Sequence, residues 1–457
     1  MIKNKNQVLE PLIIAGIFLV FLDAYEVFSF PISWMGQVFL LSLAITQFKE
    51  YKQFFKGRLF FNVVLLLLVP QIYIFINLVF SEENLTYTAL RFLNIFSFLI
   101  LLAFSVNYST NNKIDKEDIL IKMKYFCFIY SIFVIYIFLA QIFDFYEPFR
   151  NRSNTDSFEA SRQSIFWLSQ PHRAMGTFRE PSFLITFFCP LILLVVKSLK
   201  KTNIIFCVIT GIALGLTRSD YIRFFSVIIF LFLMYTIYVE KKINFNFIFL
   251  LIPIIFFSTF GILECNLNPN SIDCSNYKED VEKINGSGKL QVKSNSPASV
   301  IELGVERLDV VSFFFGTLDN LKPNGLNSVN KNYQYYQSIK ISDEMYLTNR
   351  TLPEYLLTRY DTKNFGTGSY SVVGYEVNVQ NLIVFYSQAF GVTFIVLLFL
   401  IFIDFITKNK LSVDTVYFII IVLFFTISPI EEVNAYYGLI IGFSYGLLIK
   451  GNKYEKI

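Results

Sequence analysis

Histidine is almost missing from this chain: His172 is the sole imidazole in 457 residues. Charge is scarce as well, at 16% of residues, and the net charge is only +4. No small-residue cleavage site follows the first apolar run, Pro11 to Phe30. That run therefore reads as a retained helix, not a cleaved signal peptide. There is no acidic pair of the kind that holds the metal of a sugar-nucleotide enzyme. No internal repeat divides the chain, which speaks against a transporter built from two related halves. No nucleic-acid partner is expected.

What is abundant decides the class. Hydrophobic residues make up 54% of the chain, with 54 Phe and 27 Tyr, far above ordinary usage. The length alone would suit two or three soluble domains, but apolar runs recur at the roughly 20 residues needed to cross a hydrocarbon core. The candidate spans are 11–29, 30–47, 59–80, 87–107, 125–146, 182–198, 203–217, 221–239, 243–263, 382–406, 412–428 and 434–449. The predicted fold is an all-α polytopic membrane protein of about twelve transmembrane helices.

The connections alternate in character. One set is basic: Lys3 and Lys5, Lys49 to Arg58, Lys113 to Lys124, Lys197 to Lys201, Lys241 and Lys242, Lys408 and Lys410, and Lys450 to Lys456. The opposite short connections, 81–86 and 429–433, carry no Lys or Arg, and 217–220 carries one. Positive charge stays on the cytoplasmic side, so the basic set and both termini are expected in the cytoplasm of a bacterial inner membrane. Two long connections then fall in the periplasm, 147–181 and 264–381. The expected organisation is helices 1–9 within 1–263, a large periplasmic loop over 264–381, and helices 10–12 within 382–457.

The large loop has structure of its own. Val300, Leu303, Leu308, Val311 and Phe315 recur at helical spacing, and 351–360 reads as a short helix capped by Thr351 with Pro353 in its first turn. These are amphipathic helices lying on the membrane domain. Cys265 and Cys274 bracket CNLNPNSIDC on the oxidising side. They are expected to form a disulfide, with two neighbouring free thiols as the alternative.

Polar groups inside an apolar chain are costly unless paired or wet. Asp23 and Glu26 stand three apart in the first predicted span, and Arg91 lies at similar depth in the fourth. An ion pair between these helices and the lining of an outward-opening cavity both account for them. The seventh predicted span, 203–217, is too short for the core. Arg218 and Arg223 after it are therefore placed at or below the outer headgroup level. There they either snorkel to lipid phosphates or bind an anion.

The densest cluster is 162–182, at the mouth of the sixth span. It holds Arg162, His172, Arg173, Gly176, Arg179, Glu180 and Pro181. Pro181 suits a first helical turn. A helix N-terminus beside planar guanidinium groups matches phosphate oxygens. Plain alternatives exist for single residues: Glu180 as a dipole-favoured N-terminal acid, the arginines as interfacial anchors, His172 as an exposed loop residue. In the large loop, Arg350 and Arg359 bracket the short helix, and Gly366 and Gly368 allow close backbone approach to a ligand.

Arg173, Gly176, Phe178, Glu180, Pro181 and Ser182, spaced as RxxGxFxEPS, resemble the outer-loop signature of bacterial O-antigen (Wzy-type) polymerases. Thr217-Arg218-Ser219 is similar to the Ser-Arg turn carried two spans later in that superfamily. Arg350 with Phe365-Gly366-x-Gly368, and Gln388-x-x-Gly391, resemble its large-loop and following elements. The resemblance covers about 160–230 and 340–395. It implies a membrane glycosyltransferase that extends undecaprenyl-pyrophosphate-linked oligosaccharide at the periplasmic face, with surface polysaccharide as product and with no metal and no cofactor expected. Its partners are then that lipid-linked saccharide, membrane lipid and a polysaccharide chain-length regulator. Arg173, Arg179, Arg218, Arg223, Arg350 and Arg359 are the implied pyrophosphate or substrate ligands, with Gly176, Gly366 and Gly368. Glu180 is the first candidate base and His172 the second. The superfamily also holds O-antigen ligases, which typically carry a His-Asn pair near the end of the large loop. Here 378–381 reads Asn-Val-Gln-Asn. A lipid-linked oligosaccharide flippase is the rival from another class, but it leaves the large loop unexplained.

Overall fold

The computed structural model describes residues 2–27, 30–51, 60–68, 71, 85–110, 116–143, 173–178, 181–199, 203–267, 382–409, 411–427 and 433–450. These are overwhelmingly helical. The order is α1 (Ile2–Phe21), β1 (Glu26–Val27), β2 (Phe30–Pro31), α2 (Ile32–Thr46), α3 (Phe48–Tyr51), α4 (Leu85–Thr110), α5 (Lys116–Phe143), α6 (Pro181–Ser198), α7 (Ile204–Gly215), α8 (Asp220–Glu240), α9 (Phe245–Leu267), α10 (Leu382–Asn409), α11 (Val413–Ile427) and α12 (Ala435–Ser444). A π-helical turn, Tyr445–Lys450, continues α12. Residues 60–68 are also helical.

Four helical stretches are long and apolar enough to cross a membrane: Thr88–Thr110, Glu117–Ala140, Pro181–Ser198 and Tyr221–Glu240. Shorter apolar helices stand beside them, among them Leu9–Phe21, Ile204–Gly215 and Ala435–Ile449. Large apolar side chains stay exposed along the outer faces of several of these helices, Ile129 and Leu231 among them. A helix apolar on every side belongs in lipid. The chain is a helical membrane protein.

The first span departs from its prediction. α1 ends at Phe21, a turn follows at Asp23 and Ala24, and Glu26–Val27 pairs antiparallel with Phe30–Pro31. The fold is therefore not strictly all-α, and Asp23 and Glu26 do not share a helical face. Asp23 Oδ1 instead accepts a hydrogen bond from Ser33 Oγ at 3.0 Å. α7 is shorter than predicted, at 12 residues, and α9 runs on to include Cys265. Cys274 lies outside the described residues, as do most of 147–181 and nearly all of the predicted large loop.

Contacts sort the helix ends into two sets. At one end Glu10 of α1 pairs with Lys122 of α5 and accepts from Tyr108 Oη of α4 at 3.2 Å. At the same end of the bundle Lys197 of α6 pairs with Asp414 of α11 at 3.0 Å. Tyr51, in α3, donates to the Ala44 carbonyl at 3.0 Å, and burial pushes its hydroxyl up to about 12. Glycines let backbones meet between the ends. A Cβ at Gly211 or Gly215 would strike α9 near Leu250 and Pro253, and one at Gly438 or Gly442 would strike α4 near Phe98 and Ser105.

Candidate functional site

The opposite end of the bundle gathers the arginines. The sixth helix starts at Pro181, whose fixed φ and missing N–H suit a first turn. Just before it, residues 173–178 fold inward. Ala174, Met175 and Phe178 are buried, and the Phe178 amide closes a tight turn on the Met175 carbonyl at 3.1 Å. Gly176 sits in the left-handed region, φ 56°. A side chain there would be strained and would press on Val134 and Tyr130.

This segment is stitched to two other parts of the chain. Toward α1, the Ala24 amide donates to the Thr177 carbonyl at 3.0 Å. The Thr177 hydroxyl donates to the Phe21 carbonyl. Its oxygen lies 2.7 Å from Tyr130 Oη. With the threonine proton already given to Phe21, Tyr130 is the donor in that pair. Toward the corner after α7, the Ala174 amide donates to the Leu216 carbonyl at 2.9 Å, and Arg173 Nε donates to the Thr217 carbonyl at 3.0 Å.

That corner is itself tightly made. Thr217 Oγ1 donates to the Leu214 carbonyl at 2.6 Å. Arg218 adopts φ 49°, a left-handed backbone that costs a non-glycine residue about 1–2 kcal/mol. Its reversal lets Ser219 cap α8, with the Ser219 hydroxyl accepting from the Tyr221 amide at 3.3 Å. The Arg218 guanidinium lies 5.9 Å from the centre of the Phe138 ring. Arg223, one turn into α8, donates through Nη2 to the Ser258 carbonyl at 2.9 Å and to the Arg218 carbonyl at 3.4 Å.

Arg173, Arg218 and Arg223 thus converge on one turn from two segments far apart in sequence. All three are only partly buried. Their charge is permanent, and the guanidinium fork matches phosphate and carboxylate oxygens. A strained arginine backbone inside a helical hairpin is a feature that clusters at ligand sites. Among the described residues, no three His, Cys, Asp or Glu side chains gather to hold a metal.

Of the residues singled out by sequence, Arg173, Gly176, Arg218 and Arg223 come together. His172, Arg179, Glu180, Arg350, Arg359, Gly366 and Gly368 lie outside the described residues. Arg91 is buried in α4, 4% exposed. Sequence reasoning did not single out Tyr130, Thr177, Phe138 or Ser258. Tyr130 is one of 27 tyrosines, and its partner lies 47 residues away, so no local pattern marks it. No protein family, curated protein or solved structure matches the chain.

Proposed function

We propose that this chain is a polysaccharide polymerase of the bacterial inner membrane. It joins oligosaccharide repeat units carried on undecaprenyl pyrophosphate, and it works at the periplasmic face. The carrying observation is the junction of Arg173 with the Thr217 carbonyl. The two motifs that resemble O-antigen polymerases, whose bonded residues Arg173 and Thr217 stand 44 positions apart, form one arginine-bearing site. In this reading about twelve spans place the ion-pair end and both termini in the cytoplasm and the arginine end outward.

The reaction needs two things. The hydroxyl of an acceptor sugar attacks the anomeric carbon of the donor, and the bond from that carbon to the pyrophosphate oxygen breaks. The lipid pyrophosphate leaves with the electron pair, and Arg173, Arg218 and Arg223 stabilise the charge that develops on it. The hydroxyl proton passes to a base, with Glu180 as first choice and His172 as second. Arg179, Arg350 and Arg359 complete the charge from the connecting loops, Gly366 and Gly368 give the backbone room, and a chain-length regulator acts as partner.

Deleting the gene and separating the surface polysaccharide by electrophoresis tests this. A ladder that collapses to a single repeat unit supports the polymerase. Loss of all saccharide points to a ligase, and an unchanged ladder ends the proposal.

A further inference from the structure

The arginine site has an apolar neighbour. A groove of about 560 Å³ opens between α1 and α5. Its lining includes Ile14 and Phe18 from α1 and Ile129, Tyr130 and Phe133 from α5, with Lys122 at its far end. Ile129 is 65% exposed and Phe18 39%. Tyr130 belongs to both regions. Its ring lines the groove, and its hydroxyl holds Thr177 in the arginine-bearing segment.

The vertical order along α5 is informative. Lys122 marks the ion-pair end, Ile129 to Phe133 the groove, and Phe138 the ring under the Arg218 guanidinium. The arginine turn stands beside the Phe138 end of α5, and the apolar groove lies along the same helix toward the ion-pair end. Cations at one level and a hydrocarbon slot next to them along one helix fit an amphiphile, phosphate on the arginines and chain in the slot.

We infer that Arg173, Arg218 and Arg223, together with the α1–α5 groove, form one bipartite site for a lipid phosphate. The phosphates sit on the arginines and the isoprenoid chain lies along Tyr130, Ile129 and Phe133. This rests on the reading of the arginines as pyrophosphate ligands and adds where the chain goes. Tyr130 acts as a positioning residue between the two halves.

Photocrosslinking tests it with the full-length protein in lipid nanodiscs. p-Benzoylphenylalanine is placed at Ile129, in the groove, or at the lipid-exposed Tyr238 of α8, which is 83% exposed. The probe is labelled farnesyl pyrophosphate. Saturable labelling is expected at 129 and not at 238, with inorganic pyrophosphate competing. Arg218→Ala should shift the labelling curve by about 10–100-fold, the loss expected for one charge-assisted contact. Arg173→Ala, on the other segment, should do the same, and it carries the test if the Arg218 variant does not fold. Equal labelling at both positions, or labelling at 129 that ignores both substitutions, means that bulk lipid fills the groove and overturns the site. The probe carries no sugar, so labelling stands or falls separately from the polymer ladder.

Discussion

The hydroxyl of Tyr130 lies 2.7 Å from that of Thr177, and both groups are buried. This one contact ties the middle of α5 to the segment that carries Arg173, and through the Phe21 carbonyl it also ties in the end of α1. Replacing Tyr130 by Phe removes the donor and leaves the ring. The protein should lose about 1–3 kcal/mol, the cost of a buried polar group left without its partner, measured as a lower thermal midpoint in detergent. Thr177→Val should cost more, because it abandons both Tyr130 and the Phe21 carbonyl. A Thr177→Val protein as stable as wild type would show that the segment is held by its backbone bonds alone.

Arg218 separates backbone from charge. Its left-handed φ is unfavourable for arginine and free for glycine. Arg218→Gly should therefore leave stability equal to or up to about 1–2 kcal/mol above wild type, while Arg218→Ala keeps the strain. Both should abolish chain extension on electrophoresis of surface polysaccharide. Extension by either variant would remove Arg218 from the site.

Gly176 faces the opposite demand. Its φ of 56° strains any side chain, and a Cβ there would press on Val134 Cγ2 at 3.0 Å. Gly176→Ala should destabilise by about 1–2 kcal/mol from the left-handed backbone alone, and the displaced segment should weaken function more than folding. Chain-length profiles and thermal midpoints from the same preparations distinguish the two effects.

The α4–α12 seam depends on absent side chains. Gly438 and Gly442 lie against the Phe98 carbonyl and Ser105 of α4, the close approach that small residues permit between helices in lipid. Gly442→Leu should prevent stable assembly, seen as loss of the full-length band after membrane extraction. Ser105→Ala should be tolerated, because Ser105 bonds mainly to its own helix, at 2.7 Å to the Leu101 carbonyl.

Apolar runs made the helices legible, because apolar burial is local and large in energy. The boundary errors have a common cause. The apolar residues around Asp23 and Glu26 carry the run on from α1 to Pro31, but Pro31 ends the extended stretch and starts α2. The turn at Asp23 is fixed by Ser33 and by the Ala24 bond to Thr177, partners that no window on the sequence contains. The arginines were visible as residues, yet their convergence was not. It is made by backbone carbonyls of Leu216, Thr217 and Ser258, which every sequence possesses.

The brevity of α7 also constrains biogenesis. Twelve apolar residues are fewer than the roughly 17–25 that a translocon retains as an independent span. Its Gly211 and Gly215 face lies against α9, which emerges from the ribosome later. Insertion of α7 should therefore wait for α9, so a nascent chain halted before Phe245 leaves α7 extractable, and one halted after Leu267 does not. The same shortness makes this part of the protein dependent on the order of its synthesis.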